Sequence, residues 1–78
     1  MKNIIVNKIL DLRQDVCPYS FIKTKLALED MEPNQIIKIL VAGVSIENIP
    51  RSIKEEGHSI IAVDKEDDFF VFYIKKLE

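Results

Sequence analysis

The sequence predicts an α+β two-layer sandwich, a β-α-β-α-β-β chain whose four strands form one mixed sheet with two helices on one face. Three observations lead there. Short apolar, β-branched runs recur at residues 9–12, 36–42, 58–63 and 69–74, each too brief for a helix. Helical spacing fills the two gaps between the first three runs, which suggests crossover connections. The last two runs are separated only by the polar Lys65-Glu66-Asp67-Asp68, so they should pair as an antiparallel hairpin. With 78 residues, the chain has room for a single core, and residues 1–78 are expected to form one domain.

The first strand is Ile9-Leu10-Asp11-Leu12, with residues 4–6 extending it or frayed. Arg13-Gln14-Asp15-Val16 forms a loop, and Cys17-Pro18 opens a helix running to Asp30 or Met31. Proline suits a first helical turn, where its missing N–H would have had no partner. Glu32-Pro33-Asn34 ends the helix, because the residue before proline is pushed out of the α region. The almost wholly apolar second strand, 36–42, reads as central in the sheet and covered on much of both faces. The second helix is expected over residues 46–56, with Ser45 as N-cap and Gly57 just past its end.

The first helix carries two apolar stripes. Phe21, Thr24, Ala27, Leu28 and Met31 fall within one arc of about 120° and should face the sheet. Pro18, Tyr19, Ile22 and Leu26 occupy a second arc. Spacing alone leaves open whether that arc borders the core or forms an exposed docking patch beside Cys17.

Composition narrows the function. A net charge of −2 with interspersed acids and bases argues against direct nucleic-acid binding, which rests on neutralising phosphates. No apolar run approaches the roughly 20 residues that span a bilayer, and none resembles a signal-peptide core, so a cytoplasmic location is expected. A lone cysteine cannot close an internal disulfide, which fits a reducing compartment. Two glycines exclude a glycine-rich phosphate loop, and one histidine with one cysteine falls short of a structural zinc site. No cofactor or metal is therefore expected. His58 reads as a satisfied or solvent-facing side chain, since nothing in the spacing pairs it with Cys17.

Cys17 is the residue with chemistry. A helix N-terminus exposes unpaired N–H groups and the positive end of the macrodipole, which stabilise a thiolate. Arg13 and Lys23 lie close enough in sequence to add positive potential. The plainer alternative is a buried structural cysteine.

Several segments together resemble the TusA/SirA-like sulfur-carrier family: Leu10-Asp11-Leu12-Arg13, Cys17-Pro18-Tyr19-Ser20, Lys23-Thr24, Ala27-Leu28, Met31-Glu32-Pro33, Asn48-Ile49-Pro50-Arg51 and Gly57-His58. The family pattern L-D-x-x-G-x-x-C-P-x-P runs from a strand into a helix, and the resemblance covers residues 8–76. It implies a sulfurtransferase that accepts sulfane sulfur as a persulfide on Cys17 and relays it onward. A cysteine desulfurase-like donor and a downstream acceptor are the implied partners. Pro18 matches the motif's first proline and, with Ser20, would support the helix start. Tyr19, Ile22, Leu26, Arg13 and Lys23 are the expected docking residues.

The chain departs from the pattern at four places. Ser20 stands at the second proline, Gln14 or Asp15 at the glycine, and Asn34 at the glycine of a Pro-Gly turn. Gly43-Val44-Ser45 replaces an acidic stretch after the second strand. These changes motivate a second reading, a non-catalytic interaction or regulatory module that keeps the fold. A third, a thiol-regulated protein forming mixed disulfides, lacks a resolving cysteine.

Overall fold

The computed structural model describes residues 5–15, 19–43 and 45–77. Its elements follow the expected order: β1 (Lys8–Asp11), α1 (Tyr19–Glu29), β2 (Ile36–Val41), α2 (Ser45–Glu55), β3 (Ser59–Lys65) and β4 (Phe70–Lys75). They build one four-stranded sheet in the order β1-β2-β4-β3. β1 runs parallel to β2, while β4 is antiparallel to both β2 and β3. The mixed sheet and the predicted hairpin are both present, the latter closed by the Glu66 N–H donating to the Phe69 carbonyl at 2.9 Å.

Strand alternation explains why both helices cover one face. Ile37, Ile39 and Val41 of β2 point to that face, and their register partners Ile74, Phe72 and Phe70 of β4 join them. Leu12, Ala27, Leu28, Met31, Ile49 and Ile53 complete the same core. The other residues of β2 are only half-buried, so the strand is central but deeply covered on one face alone. That corrects the two-sided burial expected from its composition. Continuous apolar sequence came from Leu40 and Ile36 on the open face, beside Val71 and Tyr73.

The turns obey their residues. Gly57 has φ of 91° and donates to the Lys54 carbonyl, while His58 N–H reaches Ile53. This is the paired C-terminal closure of a helix that ends in a left-handed residue. Asn34 takes φ of 73°, as its tolerance of that region allows. β1 is shifted one residue toward the N-terminus of the expected strand, so Leu12 packs in the core just beyond it. β3 extends to Lys65, taking in the start of the expected turn, and a bulge between Ile60 and Ala62 shifts its register. Ser45 opens α2 as its first residue.

Candidate functional site

Among the described residues, α1 begins at Tyr19, two positions after Cys17. Cys17 and Pro18 themselves lie outside the described residues. What brackets them is defined on both sides.

On the N-terminal side, the chain leaves β1 at Asp11 and turns, with the Asp15 N–H donating to the Leu12 carbonyl at 3.1 Å. Arg13 is held within this turn by its neighbour: Nε and Nη2 donate to the two Asp11 carboxylate oxygens at 2.9 and 2.7 Å. The Arg13 N–H adds a third bond to Asp11 at 3.1 Å. These donors hold the Asp11 carboxyl down to about 2, the side-chain bonds from Arg13 counting most. The guanidinium also sits 4.8 Å from the centre of the Phe69 ring. Arg13, Ala42 and Phe69, together with Gln14 and Asp68, line an open cleft.

On the C-terminal side, α1 settles the question of its two stripes. Ser20, Thr24, Ala27 and Leu28 are buried, with Met31 just beyond the helix. Phe21 is half-buried and packs against the same core, and Ser20 beside it is fully buried. The expected inner arc therefore does face the core, with Ser20 added to it at the first turn. Thr24 Oγ1 donates back to the Ser20 carbonyl at 2.9 Å. Tyr19, Ile22 and Leu26 are 61%, 45% and 58% exposed, so the second stripe is an open apolar face.

The two cations nominated by the sequence are both paired. Arg13 is bound to Asp11, and Lys23 Nζ reaches Asp15 Oδ1 at 2.9 Å. Lys25 approaches Glu56 at 3.9 Å. Asp15 and Phe69 carried no recognisable signal, since a contact across a loop leaves no periodicity. His58 has a structural partner: its Nδ1 accepts the Leu77 N–H at 3.2 Å. Among the described residues no His, Cys, Asp or Glu cluster is arranged to hold a metal, and no helix is long and apolar enough to cross a membrane.

Comparison with known proteins places the chain in a family. Residues 8–76 match the family described as Sulfurtransferase TusA. The chain belongs to that family. An Archaeoglobus fulgidus relative named "putative sulfur carrier protein" is 38% identical over 65 residues, covering 82% of this chain and 74% of the relative. A Thermotoga maritima protein of the same name is 36% identical over 61 residues, covering 77% of each chain. The solution structure of HP1264 from Helicobacter pylori superposes with a TM-score of 0.73 over 90% of this chain and 97% of that one. At 20% identity this last likeness concerns the fold alone.

Proposed function

We propose that this TusA-family chain is a cytoplasmic persulfide carrier whose sulfur-bearing residue is Cys17, within a single domain. The observation that carries the reading is the exposed stripe Tyr19, Ile22 and Leu26 on the helix that begins two residues after that cysteine. A thiol that exchanges sulfur with large partners needs an apolar surface beside it, and α1 offers one. The names of the relatives support the same chemistry.

The reaction is thiol exchange on sulfur. The Cys17 thiolate attacks the outer sulfur of a donor persulfide, R–S–SH, forming Cys17–S–SH and releasing R–S⁻. In the second step a nucleophile on the acceptor attacks the outer sulfur, and the Cys17 thiolate leaves. No external oxidant or reductant is consumed. Pro18 and Ser20 support the helix start, and the first-turn N–H groups favour the anionic forms of both thiol and persulfide. Donor and acceptor dock on Tyr19, Ile22 and Leu26, flanked by Arg13 and Lys23.

The test separates binding from transfer. Cys17→Ser should still bind a cysteine desulfurase donor in a pull-down yet take no labelled sulfur from it. Undiminished labelling of Cys17→Ser would defeat the proposal. Labelling absent from the wild type as well, with donor binding intact, would favour the interaction module that Ser20 and the altered 43–45 loop suggest.

A further inference from the structure

The helices cover one face of the sheet, and the other face carries an ordered charge pattern. Strand alternation and register set its side chains in rows that cross the strands. Lys75 marks one end, Lys38 and Tyr73 share the next row, and Leu40, Val71 and Asp64 share the row nearer the β3–β4 turn. Ile9, beside Lys38, is 62% exposed. Lys38 leans across β4 toward β3, with Nζ 5.9 Å from the centre of the Tyr73 ring. Among the described residues, Lys38, Lys75 and Asp64 enter no ion pair, whereas Asp11, in the Asp64 row, is held by Arg13. The face thus has a positive end and a negative end, with apolar side chains among them.

We propose that this face pairs with the same face of a second copy of the chain, about a two-fold axis that runs across the strands. Such an axis reverses strand direction between the copies, so the lysine rows of each meet the Asp64 row of the other. Lys38 then approaches the second copy's Asp64, and symmetry makes that contact twice. An axis along the strands would set lysine on lysine, which like-charge repulsion disfavours. Neither helix takes part, so both copies keep the α1 stripe open to solvent. Six residues of strand span about 20 Å and four strands about 19 Å, a footprint of roughly 400 Å² per copy. Even doubled, this lies below the roughly 1,200 Å² of stable complexes, so the dimer is weak and reversible.

The experiment is sedimentation of the reduced protein from about 10 µM to about 1 mM, at about 50 and 500 mM salt, with circular dichroism as the folding control. The average mass should rise with concentration toward twice 9.0 kDa, and less so at high salt. Lys38→Glu or Asp64→Lys alone sets like charges together twice per dimer and should weaken association roughly tenfold. An equimolar mixture of the two variants should associate again, because each altered charge then meets its opposite. Monomers at every concentration would overturn the proposal and leave the face to a different partner. Dimers indifferent to both substitutions, or a mixture no better than its components, would overturn it as well.

Discussion

Arg13 grips both carboxylate oxygens of Asp11, at 2.9 and 2.7 Å, while its guanidinium rests 4.8 Å from the centre of the Phe69 ring. One side chain thereby joins the end of β1 to the β3–β4 turn. Only a planar fork can make the paired bonds and also lie against a ring, so lysine is a poor substitute.

The first prediction concerns that clasp. In the wild type the Asp11 carboxyl should titrate near 2, and in Arg13→Lys its midpoint should rise toward the ordinary carboxylate value. Carbon-detected NMR titration of the Asp11 carboxyl reads this directly. Because the folded value is depressed, the contribution to stability is present above the unfolded value and is lost as pH falls toward 2. Both groups are exposed, so thermal stability at neutral pH should change little.

The second prediction concerns His58. Burial, assisted by Lys76 and opposed by Glu56, lowers its pKa from 6.5. Its Nδ1 accepts the Leu77 N–H, a bond that protonation on that nitrogen removes. The native state therefore binds this proton less readily than the unfolded chain. Stability should be full above about pH 6.5 and decline as pH falls through the folded value. Urea titrations between pH 7.5 and about 5 should show the decline, and His58→Gln should flatten it.

A third prediction concerns the core. Ile39 is fully buried in central strand β2, opposite Phe72 and packed among helix side chains. Ile39→Ala should cost about 2–5 kcal/mol in chemical denaturation, from lost transfer energy and the cavity left behind.

The fourth separates docking from chemistry. Replacing Tyr19, Ile22 and Leu26 together by serine removes exposed apolar surface, so each change should alter stability by no more than about 0.5 kcal/mol. Sulfur transfer from a desulfurase should slow roughly tenfold or more, as loss of a docking cluster does. Loading from inorganic polysulfide, which needs no docking, should stay near the wild-type rate. Equal slowing of both would place the stripe outside docking.

Much of this fold was legible because period and punctuation agree. Gly57 closes α2 as its conformational freedom suggests, Asn34 occupies a left-handed position, and the acidic turn before Phe69 does produce a hairpin. What was not legible depended on burial across elements. Ile36 and Leu40 read as interior residues, yet they lie on the uncovered face, because an apolar run cannot say which face receives helices. Ser20 is buried at the inner edge of α1, beside a half-buried Phe21, although a hydroxyl residue carries no hydrophobic signal for the interior. At the candidate site, motif residues nominated Cys17, Arg13 and Lys23 but not the carboxylates that neutralise the two cations. Charge pairing through a loop depends on chain direction, which spacing does not record.

The most direct test of the central claim is the intact mass of the reduced protein after incubation with a cysteine desulfurase and cysteine, beside Cys17→Ser. The account predicts a gain of one sulfur atom that reductant removes and that the variant lacks. No gain, either there or with inorganic polysulfide, would contradict a carrier role for Cys17.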